Sequence, residues 1–150
     1  MALAACEGTS DLFLVDGSQD FCNSLRPPAI EARTSTVPVQ LRPLDQLLSE
    51  QAISRLDFLK LDVEGGELDA LRGATELLSS FRPVALIEVQ DVRTRPWGYA
   101  AREIIDFMQQ RGYQWYRPTS DGSLTPLDTS ARDYDGNFVA CPRERDVTLA

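Results

Sequence analysis

The sequence predicts an α/β fold whose sheet is mostly parallel and ends in an antiparallel C-terminal strand pair. Residues 56–89 have the order of a βαβ unit: a strand, an acidic turn, an amphipathic helix, a proline-marked loop and a second strand. Both strands, 57–63 and 84–89, are nearly continuous apolar runs, which is typical of parallel strands covered on both faces. The strands predicted at 113–116 and 137–141 are close enough to form the antiparallel pair.

Length and composition indicate one ordinary globular domain. The 150 residues suffice for a single core, and we divide them into peripheral strands and a loop at 1–42 and a βαβ core at 43–150. No apolar run reaches the length of a membrane span. The formal net charge of -8 argues against a nucleic-acid partner, because phosphate binding needs a concentrated basic surface. Three cysteines at no metal-ligand spacing favour reduced thiols and a cytoplasmic location.

The absence of histidine narrows the possible chemistry. With a histidine count of 0, the chain has no Ser-His or Cys-His nucleophile pair and no histidine-ligated zinc. Acid–base catalysis must then come from carboxylates, Lys60, tyrosines, thiols, a metal-bound water or a partner chain.

The N-terminal region carries weaker signals. Residues 11–15 are predicted to form a strand that ends in a turn at 16–18. Residues 23–36 contain two prolines and several hydroxyl side chains, which indicate a surface loop. Residues 37–41 are predicted to form an edge strand, because Pro38 has no amide proton to give to a sheet.

Three helices are predicted around the core. A short helix over 44–51 opens after Pro43 and presents leucines on one face. A single longer helix over 67–81 has an apolar stripe formed by Leu68, Leu71, Ala74, Leu78 and Phe81. A third, over 100–111, is followed by Gly112, which suits a left-handed helix end.

The acidic turn between the first core strand and its helix holds the main candidate site. Ligands in open parallel sheets bind beyond the carboxyl ends of strands, where Asp62 and Glu64 lie. Gly65 permits a tight reversal and close approach of a ligand or another chain. In the alternative interpretation, Glu64 and Glu67 have a structural role only: the dipole at the helix N-terminus stabilises each carboxylate by about 0.3–1 kcal/mol.

Two further side chains bear on this site. Glu88 ends the second core strand, so its carboxylate can reach the same crevice; alternatively, it pairs with Arg82 or Arg93. Lys60 and Asp62 share one face of their strand, which favours a structural Lys–Asp pair. A hard cation such as Mg²⁺ would suit paired carboxylates at a strand end, but we assign no metal ligand from sequence.

These residues resemble the FkbM family of S-adenosylmethionine-dependent methyltransferases. The resemblance is carried by PLDQLL at 43–48, DFLKLDVEGGELDALRGA at 57–74 and RPVALIEV at 82–89, and it extends weakly to 2–15 and 137–142. It implies a partial Rossmann-like class I methyltransferase sheet and S-adenosylmethionine as cofactor. It also implies O-methylation of a small hydroxylated acceptor: a sugar, lipid or secondary metabolite. The DFLKLD segment also resembles a strand of EAL-type phosphodiesterases, but that family's other motifs are absent.

Site roles follow from this resemblance. We predict catalytic roles for Asp62, Glu64 and Glu88, as general base or as ligands of a cation, and cofactor contacts from Asp62 and Gly65. Trp97 and Tyr99 follow the second core strand, where they are placed to bind the acceptor. The alternative for these two aromatics is that they cover the edge of the core.

The chain departs from the family pattern in a large part: both the strand with the cofactor loop and a second strand that ends in an acidic residue are missing from residues 1–150. Similar proteins carry an N-terminal glycine-rich cofactor loop of the form D-x-G-A-x-x-G, and residues 1–150 contain no Gly-x-Gly. We therefore expect a C-terminal portion of the domain that binds S-adenosylmethionine weakly alone; the alternative is a non-catalytic remnant or interaction module. We also expect an unpaired sheet edge beside residues 57–63, covered by self-association or by rearrangement of residues 11–41.

Overall fold

The structure is a computed structural model that describes residues 1–17, 22–27 and 33–145. The strands of the described part are β1 (Ala2–Leu3), β2 (Gly8–Val15), β3 (Thr34–Arg42), β4 (Phe58–Leu61), β5 (Val84–Gln90), β6 (Tyr113–Pro118), β7 (Leu124–Pro126) and β8 (Asp135–Pro142). The helices are α1 (Leu44–Glu50), α2 (Glu67–Arg72), α3 (Thr75–Ser80), α4 (Asp91–Thr94) and α5 (Arg102–Gln109), with a 3₁₀ turn at Arg95–Trp97. The strands form a three-stranded sheet in the order β1-β3-β2 and a five-stranded sheet in the order β4-β5-β8-β6-β7.

The five-stranded sheet contains the predicted βαβ unit. Strands β4 and β5 pair in parallel, with Leu61 opposite Ile87, and β6 and β8 form the predicted antiparallel pair. The fold is therefore α/β, but the sheet is mixed and not mostly parallel. Strand β8 inserts between β5 and β6 and is antiparallel to both, and β7 is antiparallel to β6 on its other side; β4, β5 and β6 themselves point the same way.

Strand β4 is the outer strand of this sheet. The prediction that it is covered on both faces is wrong, because Phe58 and Lys60, which share one face, are exposed. Among the described residues it pairs only with β5, and Phe58 is 54% exposed. Strands β2 and β3 pair with each other over Gly8–Val15 and Thr34–Arg42 and do not cover the β4 edge, contrary to the expected rearrangement. Self-association through this edge stays a prediction.

The predicted edge strand is confirmed at Pro38, where β2 is the only strand of the described chain that pairs with β3; β3 is a middle strand only at Leu41 and Arg42. Strand β1 is short and pairs only with Leu41 and Arg42. At the level of Pro38, which lies opposite Asp11, only β2 runs beside β3. The proline is therefore compatible with a central strand whose second neighbour has already ended.

The helix predicted over 67–81 is broken at Gly73 into α2 and α3. A side chain at Gly73 would overlap the carbonyl oxygen of Ala4, so the chain passes too close for any other residue. The Gly73 carbonyl accepts a hydrogen bond from the Asp45 amide at 2.9 Å. The Asp45 carboxylate then accepts from the Glu76 and Leu77 amides at 2.9 and 2.8 Å, which caps the start of α3.

The core lies between the five-stranded sheet and helices α2, α3 and α5. Its fully buried members include Leu71, Leu78, Ile87, Ile104, Ile105, Met108 and Phe138. Gly112 follows α5 with φ +77°, as predicted for a left-handed helix end. None of the described helices has the length and apolar character needed to cross a bilayer.

Candidate functional site

A cleft of about 760 Å³ opens beyond the carboxyl ends of β4 and β5, where ligands bind in open α/β sheets. The turn after β4 forms its floor, and the N-terminal region and the segment after β5 form its walls. The lining residues are Met1, Ala2, Leu3, Leu12, Asn23, Ser24, Leu25, Asp62, Val63, Glu64, Gly66, Glu88, Arg93 and Trp97. The cleft therefore combines an apolar wall with a few charged groups.

The structure brings the three predicted catalytic carboxylates together in this cleft. Asp62, Glu64 and Glu88 each offer an oxygen, and these oxygens all lie within 4.8 Å of one another. The cause is the parallel register of β4 and β5: Leu61 lies opposite Ile87, so the residues that follow each are neighbours across the strand ends.

The partners of the three carboxylates differ. Asp62 accepts a 2.7 Å hydrogen bond from Lys60, which confirms the predicted pair. Glu64 forms an ion pair with Arg93, whose Nε lies 3.1 Å from Oε2. Glu88 is 9% exposed, and its Oε2 has no hydrogen-bond partner in the described part of the chain.

The proposed partners of Glu88 are engaged elsewhere. Arg82 binds Glu144, with Nε 2.6 Å from Oε1, and the closest carboxylate contact of Arg93 is Glu64. Burial, reinforced by the charges of Asp62 and Glu64, raises the pKa of Glu88 to about 7. Burial also raises the pKa of Glu64, with Arg93 opposing the rise. The cleft thus concentrates negative charge that the described side chains neutralise only in part.

The backbone at Glu64 is held in an unusual conformation. Its φ of 54° lies in the left-handed region that few side-chain-bearing residues adopt. The Glu64 carbonyl accepts hydrogen bonds from the Ser24 hydroxyl at 2.8 Å and from the Trp97 indole at 3.2 Å. Two distant segments therefore fix the direction of the acidic turn.

Comparison with known proteins identifies the family. The Methyltransferase FkbM domain matches residues 3–115, which include the cleft turn and both core strands. The chain belongs to the FkbM methyltransferase family.

A relative in Pseudomonas aeruginosa supports this assignment. The AMB antimetabolite synthetase AmbE is 31% identical over 109 residues, which are 72% of this chain but 5% of that protein. The chain thus spans a small fraction of the length of this relative. No solved structure shows a significant match.

In this FkbM chain, Gly65 is part of the turn after β4 and is not among the residues that line the cleft. Its φ is +92°, and a side chain there would overlap the Arg93 carbonyl oxygen. Its own carbonyl accepts a 2.6 Å hydrogen bond from the Tyr99 hydroxyl. Tyr99 also lies outside the cleft lining, whereas the neighbouring Gly66 is part of it.

Glu67 has a role that sequence analysis missed. It is 1% exposed, and its Oε1 accepts hydrogen bonds from the amides of Val63 at 2.9 Å and Gly65 at 3.3 Å. Burial raises its pKa, and these backbone donors oppose the rise. The sequence offered only a glutamate in the first turn of a helix, a pattern that the helix dipole explains equally well.

Trp97 lies in the wall of the cleft, as its predicted role in acceptor binding requires. Its ring packs over Gly66, where an added side chain would come within 2.9 Å of it, and the Arg26 guanidinium lies 4.8 Å from the ring centroid. Acceptor binding by Trp97 stays a prediction. Ser24 and Arg26 were not expected at the site, and no local pattern in the sequence signals their position.

Proposed function

We propose that this protein is an S-adenosylmethionine-dependent methyltransferase that methylates a hydroxyl group of a sugar, lipid or secondary metabolite. One observation carries the proposal: in a chain of the FkbM family, three carboxylates converge in a cleft at the ends of two parallel core strands. The common direction of β4, β5 and β6 supports a Rossmann-like, class I assignment of the partial sheet.

The charge of the cleft fits the cofactor. The charged side chains that line it in the described part are one guanidinium and three carboxylates, so these side chains are net negative when Glu88 is ionised. S-adenosylmethionine, when bound, supplies an electrophilic methyl group on a positively charged sulfonium. Asp62, whose side chain is 33% exposed, is the residue through which we expect the protein to hold it. Gly65 acts indirectly, by setting the turn that carries Asp62 and Glu64.

Removal of the acceptor's proton requires a group at the same place. The chain has no histidine, so the carboxylates of Asp62, Glu64 and Glu88 either accept that proton or hold a cation that acidifies the hydroxyl. The Arg93 ion pair holds Glu64 in position, and Leu3 and Leu12 add apolar surface to the cleft lining. Such fixed orientation of reacting groups is a major source of rate acceleration.

Acceptor selection is proposed for Trp97. In an active preparation, Trp97→Ala should change the ratio of kcat/KM values between two hydroxylated acceptors, because it removes one wall of the cleft. Trp97→Phe is the matched variant: it keeps most of the apolar surface of the cleft wall but loses the hydrogen bond to the Glu64 carbonyl. An unchanged ratio in Trp97→Ala would reject this role. Tyr99 is a positioning residue, because its hydroxyl contacts Gly65 and not the cleft.

Calorimetric titration with S-adenosylmethionine tests the proposal. We expect weak but saturable binding by this chain alone, which weakens further in Asp62→Asn and is unchanged in Glu76→Gln, a variant that removes one charge from an exposed residue of α3. Absence of binding, or equal binding by both variants, would contradict the proposal. It would favour the alternative of an interaction module that has lost the cofactor.

A further inference from the structure

The oxygen left free on Glu88 has no obvious role in the fold. Glu88 is 9% exposed and lines the cleft, and its Oε2 lacks a hydrogen-bond partner in the described part of the chain. A buried carboxylate oxygen without a donor is costly unless something binds it. Glu88 lines the cleft together with Asp62 and Glu64, so a group bound in the cleft is the candidate partner.

The cations of the protein do not fill this position. Lys60 contacts Asp62 at the exposed rim, and Arg93 contacts Glu64, so each of these carboxylates has a basic neighbour. The described ion pairs include none with Glu88. Each of the three carboxylates thus offers an oxygen within 4.8 Å of the other two, and Glu88 is the one without a basic partner among the described ion pairs.

We propose that Asp62, Glu64 and Glu88 bind a divalent cation, Mg²⁺ or Mn²⁺, in this cleft. Hard divalent cations prefer carboxylate oxygens, and Mg²⁺ is usually held by few protein carboxylates while it keeps several waters. Glu88 supplies the buried oxygen, and Asp62 and Glu64 supply the more accessible ones. This proposal revises the sequence-based assignment of no metal ligand.

The role of the cation deepens the proposed function and rests on it. An oxygen-ligated divalent cation acts as a Lewis acid and lowers the pKa of a hydroxyl bound in one of its open positions. The cleft would thus select acceptors whose hydroxyl reaches the cation, and the cation would fix the orientation of that hydroxyl. Binding of the metal itself is measurable without cofactor, acceptor or turnover.

The test is titration of the protein with MnCl₂, followed by the loss of the free Mn²⁺ signal in electron paramagnetic resonance. The wild-type chain should bind about one Mn²⁺, and added Mg²⁺ should displace it. Asp62→Asn and Glu88→Gln should each weaken binding at least about tenfold, the lower end of the loss caused by removing even an outer-shell partner. Glu76→Gln removes the same charge from the exposed face of α3 and should bind like the wild type.

Several outcomes would overturn the proposal. It fails if the wild type does not bind Mn²⁺, or if Glu76→Gln weakens binding as much as Asp62→Asn, which would indicate a general charge effect.

Circular dichroism without metal verifies that each variant is folded. If the buried Glu88→Gln variant unfolds, Mn²⁺ binding by Asp62→Asn alone decides between the outcomes. S-adenosylmethionine binding in the presence of a chelator without Mn²⁺ binding would reject the metal site alone. Mn²⁺ binding without cofactor binding would reject the methyltransferase proposal and leave the metal site standing.

Discussion

The Glu67 carboxylate closes the turn that carries the acidic cluster, by accepting a 2.9 Å hydrogen bond from the Val63 amide. The same oxygen accepts from the Gly65 amide, so one buried side chain satisfies two donors of a tight loop. Asp62 and Glu64 flank Val63 in the sequence, and their direction therefore depends on a residue that does not line the cleft.

Glu67→Ala should lower the free energy of unfolding by about 1–4 kcal/mol, because the buried Gly65 amide loses its acceptor at about 1–3 kcal/mol and the half-buried Val63 amide loses less. Glu67→Gln keeps an acceptor oxygen in place and should change stability by less than about 1 kcal/mol. Urea unfolding curves of both variants measure the difference. Equal stability of Glu67→Ala and the wild type would show that the turn does not need this carboxylate.

Gly65→Ala should be far more harmful than the same change at Gly98. Both glycines have positive φ, at +92° and +81°, so both substitutions incur the backbone cost of about 1–2 kcal/mol. Only at Gly65 would the new methyl group overlap the Arg93 carbonyl, whereas Gly98 has open space around it. Overpacking should add about 1–3 kcal/mol to the loss in Gly65→Ala.

Thermal and urea unfolding of the two glycine variants, side by side, separate the packing cost from the backbone cost. Matching losses at both positions would refute the close contact between the acidic turn and the segment after β5.

The ion pair between Arg82 and Glu144 should make the free energy of unfolding depend on pH. The Arg82 guanidinium binds both carboxylate oxygens, at 2.6 and 2.9 Å, and this hydrogen bonding lowers the pKa of Glu144 from its ordinary value of 4.5 to about 2. A lowered pKa in the folded state gives a contribution to stability that is present above about pH 4.5 and is lost as pH falls toward 2.

Glu144→Gln removes this dependence. The stability difference between wild type and Glu144→Gln should be largest near pH 6 and should shrink as the pH falls from 4.5 to 2.5, as chemical unfolding at each pH would reveal. The effect should be modest, because the Glu144 side chain is 57% exposed and solvent screens the pair. A difference that stays constant with pH would mean that the pair does not contribute.

The features that the sequence predicted well depend on local sequence patterns or on the position of a residue at the end of a strand. Apolar runs and the acidic turn were sufficient to place β4, α2 and β5 and to bring Asp62, Glu64 and Glu88 to one place. The rule that parallel strand ends meet at one edge of the sheet carried this inference without any knowledge of distant contacts.

The missed features depend on contacts between distant segments. The break at Gly73 arises from the approach of Ala4, and the Glu64 carbonyl is held by Ser24, 40 residues away. Asp45 looked like part of a family motif, yet its role is to cap α3. None of these contacts leaves a periodic pattern in the sequence, so composition and spacing do not reveal them.

We propose that the cleft at the ends of β4 and β5 transfers methyl groups. Transfer of labelled methyl from S-adenosylmethionine to a panel of hydroxylated acceptors, with Mg²⁺ present, measures this activity. The wild type and Glu76→Gln should transfer methyl groups at equal, saturable rates, and Glu88→Gln should be slower by at least about 100-fold, the lower range for loss of an acid–base group. No transfer by the wild type, or the same rate in Glu88→Gln, would contradict the account.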